Sequence, residues 1–144
     1  MDLPEMRRRL VAARVACLGT VDPHGRAHLV PCVFALDGDT VYTPVDGKPK
    51  RTSRLQRLRN LDADPRATLL VDGYEEDWSR TWWVRIRGRG RLVDAPAATR
   101  AIELLRAKYP QYRYQIGIDA IIAIEIENWY GWAYTTGESP PASP

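Results

Sequence analysis

The run from Trp82 to Val93, WWVRIRGRGRLV, constrains the fold more than any other part of the chain. Side chains of a strand alternate between two faces. Here Trp82, Val84, Ile86, Gly88, Gly90 and Leu92 share one face, while Trp83, Arg85, Arg87, Arg89 and Arg91 share the other. A helix cannot sort apolar from charged residues with period two. The segment Trp78 to Val93 therefore reads as one long strand with an apolar side and a cationic side. Arginines lined up on one strand face repel each other unless solvent, carboxylates, a bound anion or a partner subunit stands beside them. Gly88 and Gly90 are too sparsely patterned for a dinucleotide loop and read as close strand approach or a bulge.

The flanking sequence supplies further strands. Asp2 caps a helix with Pro4 in its first turn, and Met6, Leu10 and Ala13 share one face of it to about Arg14. The turn Asp22-Pro23-His24-Gly25 joins strands Val15–Val21 and Arg26–Leu36. In the second of these, His28 is read as facing outward from Leu29. Asp37-Gly38-Asp39 then leads into Thr40–Val45. Leu55, Leu58 and Leu61 mark a helix that Pro65 terminates, because a residue before proline avoids α geometry. A strand, Arg66–Asp72, and an acidic loop, Gly73–Asp77, precede the long strand. A helix from Ala95 to about Tyr109, a tyrosine-rich connector from Pro110 to Gly117 and a last strand, Ala120–Ile126, follow. The tally is about six strands with few helices, a mainly β, α+β chain. A closed or split antiparallel β-barrel with flanking helices accounts for it, since closure removes exposed edges. Residues 1–136 read as one domain, and 137–144 as a disordered Pro/Ser-rich tail.

Composition narrows the partners. The 144 residues carry a net charge of +3, with five Trp and seven Tyr but one Phe. So small an excess favours an anionic small molecule over nucleic acid. Cys17 and Cys32 lack metal-motif spacing and read as buried, reduced thiols of a cytoplasmic protein. No apolar run approaches the length of a membrane span, and no leader is visible.

The excess charge sits mainly in KPKRTSRLQRLRN, Lys48 to Asn60, which has no carboxylate. It follows a short strand and opens a helix, where cations and free backbone N–H groups converge on phosphate. Thr52 and Ser53 add hydroxyl donors. Against this, no HExxH, CxxC or GxSxG occurs, His24 lies in a turn, and no catalytic residue or metal site can be named. A chain with a phosphate grip and no acid–base constellation takes its chemistry from a bound redox cofactor, if it is an enzyme.

The hairpin Thr20-x-Asp22-x-x-Gly25 with Pro31, the helix exit Arg59-Asn60-Leu61-x-x-Asp64-Pro65-Arg66 and the tryptophan–arginine strand resemble the pyridoxamine 5′-phosphate oxidase-like split-barrel flavoproteins. More narrowly, they are similar to the actinobacterial flavin/deazaflavin oxidoreductases of the B class, which use coenzyme F420. The resemblance runs from about Arg7 to Trp132. It implies a homodimer of six-stranded split barrels with two cofactor sites at the subunit interface. The ring would lie near Val30, Pro31, Cys32 and Val33. The phosphate would meet Lys48, Lys50, Arg51 and Thr52, with Arg57 nearby. Trp78 and Trp83 would close the site, with Trp129 and Trp132 approaching it, and Tyr42 is a candidate hydrogen-bond donor to substrate. The fold's known uses include FMN, F420 and haem-type ligands; the basic excess favours F420, which has more anionic groups than FMN. The implied activity is hydride transfer between reduced F420 and a small electron-poor substrate. The alternatives are an F420 or FMN carrier without catalysis, and an FMN-dependent oxidase of the pyridoxamine-phosphate type.

Overall fold

The tryptophan–arginine strand is the spine of the molecule. It pairs along its whole length with the last strand, and the remaining elements are ordered around that pair. The structure is a computed structural model describing residues 1–46 and 55–135. In chain order the elements are α1 (Leu3–Ala12), β1 (Ala16–Val21), β2 (Ala27–Cys32), β3 (Ala35–Asp37), β4 (Thr40–Asp46), α2 (Gln56–Ala63), β5 (Arg66–Gly73), β6 (Trp82–Asp94), α3 (Thr99–Lys108), α4 (Gln111–Tyr114) and β7 (Ile118–Ala133). The seven strands form one sheet in the order β2-β1-β5-β6-β7-β4-β3. All six pairings are antiparallel. The sheet curls around a core that includes Leu18, Val41, Leu69, Ile86 and Ile124, with Met6 and Leu10 of α1 and Leu58 and Leu61 of α2 closing it. A second apolar cluster, with Ala101, Leu105, Tyr109, Tyr112 and Ile121, lies under α3 and α4. This is the mainly β, split-barrel architecture expected.

Several boundaries differ from expectation for identifiable reasons. The strand expected from Arg26 to Leu36 is two strands, which makes seven rather than six. It breaks at Phe34, whose N–H donates to the Tyr109 hydroxyl at 3.2 Å instead of to a neighbouring strand. That hydroxyl also lies 2.9 Å from the Arg14 carbonyl and 3.0 Å from the Phe34 carbonyl, so it joins the exit of α1 to the break. Trp78 is not in the long strand. Residues 78–80 form a 3₁₀ turn capped by Asp77, whose carboxylate accepts the Ser79 N–H at 3.0 Å. The last strand runs seven residues past Ile126, through the aromatic segment to Ala133. Gly131 permits this: a Cβ there would stand 2.8 Å from Met6 Cγ, so the glycine lets α1 lie on the strand. His28 and Leu29 face opposite to expectation. Leu29 is 67 % exposed, and the His28 Nδ1 is buried. Pairing decides this phase, because His28 lies opposite Thr20 on the core side of β1.

Other expectations hold. Gly25 turns the first hairpin at φ +76°, and the Asp22 carboxylate accepts the His24 and Arg26 N–H groups. α2 ends at Asp64 in extended geometry before Pro65. Val84, Ile86, Gly88 and Gly90 are buried while Arg87, Arg89 and Arg91 are exposed; Leu92 departs from the pattern at 38 % exposure. The register slips between Arg87 and Gly88, and a Cβ on Gly88 would lie 2.1 Å from the Glu125 carbonyl oxygen. The glycine is there because two backbones nearly touch. Cys17 and Cys32 are free but half-buried rather than fully buried.

Candidate functional site

β2 and β4 end at one mouth of the curled sheet, where α2 and α4 also arrive. There they enclose a cavity of about 250 Å³ lined by Val15, Pro31, Cys32, Val33, Thr43, Pro44, Asp46, Arg57 and Tyr112. The lining comes from five regions of the chain, and most are there for a local reason. Pro31 and Pro44 carry no N–H, so their strands cannot be extended laterally at those points. Arg57 lies in the first turn of α2, one residue before the buried Leu58 that anchors the helix. Asn60 fixes the same helix from below: fully buried, it donates to Thr20 Oγ1 at 3.0 Å and accepts from Gln56 at 2.7 Å. Tyr112 is buried on the short α4 and meets the Tyr109 ring edge-on, with centroids 6.2 Å apart.

Electrostatically the cavity is mixed. Burial pushes the Cys32 thiol up to about 11, against the opposing pull of the Thr43 hydroxyl and the Arg57 charge. Tyr112 is raised as well, first by burial and then by the hydrogen bond its hydroxyl donates to Asp46 Oδ1 at 2.9 Å. Both groups therefore stay protonated at neutral pH. Among the described residues, two buried polar atoms of the lining, Thr43 Oγ1 and Arg57 Nε, have no hydrogen-bond partner of good geometry, although Thr43 stands near enough to the Cys32 thiol to act on it. Buried polar atoms are nearly always satisfied, so such a pair on a cavity wall marks where a bound molecule would supply the missing partners.

Of the residues expected at a cofactor site, Pro31, Cys32, Val33 and Arg57 meet in this cavity. Val30 is the next residue along β2, packed against the barrel core. Lys48, Lys50, Arg51 and Thr52 lie outside the described residues. Trp78 and Trp83 do not line the cavity of their own chain. Trp78 is 69 % exposed on its turn, and Trp83 stacks over the Arg85 guanidinium at 5.2 Å on the outward face of β6. Trp129 lies under Arg7, Trp132 meets Tyr134, and Tyr42 packs against the cluster beneath α3. The arginine row finds varied neighbours. Arg85 and Arg87 both stand over Tyr130, and Arg91 lies 3.9 Å from Glu125. Among the described residues, Arg85 Nε and Nη2 are buried without acceptors.

Sequence reasoning did not single out Asp46, Thr43 or Tyr112. Tyr112 reads there as one tyrosine of a connector, and Asp46 carries no signal of its own. Their roles arise from a contact 66 positions apart in the chain, and no local pattern announces it.

A family model for pyridoxamine 5′-phosphate oxidase matches residues 3–133. The chain belongs to that family. Among solved structures, a conserved hypothetical protein from Mycobacterium tuberculosis has a TM-score of 0.77 at 19% identity, over 100% of this chain and 92% of that one. An FAD-binding protein from Mesorhizobium loti has a TM-score of 0.69 at 18% identity, over 91% and 94%. A structure described as an F420 reductase has a TM-score of 0.61 at 20% identity, over 86% and 94%. A search of curated proteins finds no match. At these identities the structural likeness speaks for the fold alone. No helix among the described residues is long and apolar enough to cross a membrane.

Proposed function

We propose that this family member is an F420-dependent oxidoreductase, with FMN the alternative cofactor, working as a homodimer of split barrels. The observation that carries the reading is the cavity at the barrel mouth, with Arg57 Nε and Thr43 Oγ1 on its wall, buried and without partners among the described residues. Arg57 opens α2 just after the cationic run Lys48–Arg54, which suits an anionic group. Lys48, Lys50, Arg51 and Thr52 would take the phosphate with it. Pro31, Cys32, Val33 and Pro44 would form a mainly apolar wall for the ring.

When bound, the cofactor supplies hydride chemistry, and the protein supplies orientation and exclusion of water. Cys32 and Tyr112, both held protonated, are suited to shape the site rather than to act as bases. A cavity of about 250 Å³ is smaller than the roughly 300–1,000 Å³ of most ligand pockets. A second chain would complete it, laying Trp83 or Trp78 over the exposed part of the ligand. The outward row Pro31, Cys17, Leu70, Arg85 and Tyr130 begins at the cavity and continues across five strands, a surface suited to that contact. The second reading, a carrier of F420 or FMN without catalysis, draws on the same protonated Cys32 and Tyr112, which leave no evident proton acceptor beyond Asp46.

The test is side-by-side titration with F420 and FMN, followed by fluorescence quenching. Tight F420 binding with weak FMN binding is the expected result, and reduced F420 should then turn over with an electron-poor alkene or imine. Tight binding without turnover favours the carrier. If neither cofactor binds, the reading fails.

A further inference from the structure

The cavity wall carries two groups of opposite charge. Arg57 brings a cation whose Nε lacks an acceptor among the described residues. Asp46 brings a carboxylate, and no ion pair joins the two among the described residues. A carboxylate is unfavourable in a cavity built only for phosphate, since like charges repel strongly where water is scarce. It is nevertheless held there deliberately. The register of β4 against β7 slips between Val45 and Asp46: Val45 lies opposite Ala120 and Asp46 opposite Ile118. Such irregularities re-aim a side chain out of the strand's alternation. Tyr112 then donates to Oδ1 at 2.9 Å from a buried position. An ionised carboxylate has about four acceptor sites, and the tyrosine occupies one.

We propose that Asp46, positioned by Tyr112, is a specificity-determining acceptor. It takes a hydrogen bond from an O–H or N–H of the same molecule whose anionic group meets Arg57. This rests on the cofactor reading above and narrows it. The ligand class is a phosphorylated polyol or a phosphorylated heteroaromatic with an N–H or hydroxyl donor. A bare phosphate has no second end to read. A metalloporphyrin presents carboxylates but no ring N–H, and Asp46 repels it.

The experiment compares wild type, Asp46→Asn and Tyr112→Phe by titration with F420, FMN and inorganic phosphate, with the Tm of each variant measured alongside. Asparagine keeps the shape and an oxygen for Tyr112 but removes the charge. In Asp46→Asn, the cofactor that wild type binds should weaken about tenfold to a hundredfold, the range for a lost charged hydrogen bond. Inorganic phosphate should bind as before or tighter, because a repelling charge is gone. Tyr112→Phe should weaken the cofactor less and leave phosphate unchanged. Cofactor affinity that is unchanged or improved in Asp46→Asn overturns the inference while the cofactor reading stands. A wild-type protein that binds neither F420 nor FMN overturns both. Should Asp46→Asn unfold, Tyr112→Phe decides: unchanged cofactor affinity there overturns the inference.

Discussion

The inner face of β6 and the cavity at the barrel mouth are built from the same sheet and obey opposite rules. Val84 and Ile86 on the inner face are fully buried, and Gly88 and Gly90 beside them let neighbouring groups approach to contact. At the mouth, Thr43 Oγ1 and Arg57 Nε are buried without partners among the described residues, and Asp46 lines the same cavity. One region gains its stability from complete packing. The other holds polar atoms whose desolvation only a ligand would offset. The difference teaches where to look for function in a fold shared by binders of different molecules. The packed face makes the barrel, and the incompletely satisfied end makes the site.

The packed face is most vulnerable at Gly88. Its Cβ would meet a backbone oxygen at 2.1 Å, and that contact cannot be relieved by turning a side chain. Gly88→Ala should cost about 3 kcal/mol or more, the upper range for overpacking, read as a large fall in urea midpoint. A variant as stable as wild type would show that β6 and β7 are not pinned at the bulge. At the mouth the effects should reverse. Arg57→Gln should weaken a phosphate-bearing cofactor by about tenfold to a hundredfold while moving the midpoint little. Loss of stability with affinity retained would make Arg57 a packing residue.

The smallest effect is expected at Lys108, which belongs to neither region. Its ammonium sits 4.0 Å above the Phe34 ring, buried and without a hydrogen-bond partner among the described residues. Burial, then the charge of Arg14, lowers its pKa to about 8. The folded chain therefore releases this proton before the unfolded chain does. Stability should rise with pH from about 8 toward the ordinary lysine value of 10.5, and the cost of the buried charge is present in full below that window. Nearby solvent holds the effect to about 1 kcal/mol, a few degrees in Tm. The Tm difference between wild type and Lys108→Met should shift in favour of wild type from pH 7.5 to pH 10; a constant difference would mean that the amine titrates normally.

Most of the barrel follows from local patterns in the chain. Period-two alternation in β6, the Asp-Pro-His-Gly turn, the apolar stripe of α2 and its stop at Pro65 are local patterns, and local sterics enforce them. Four residues of the cavity wall, Pro31, Cys32, Val33 and Arg57, were legible through the resemblance to a family, because a family's motifs carry positions that composition does not. The tertiary structure alone decided the rest. It set the phase of His28 and Leu29, which depends on the partner strand, and carried β7 through a glycine that α1 packs upon. It brought Tyr109 to the break between β2 and β3, 75 positions away in the chain. It also placed Asp46 against Tyr112, across 66 positions. Hydrogen bonds between distant residues leave no periodicity in the sequence, and they form only once the sheet has curled.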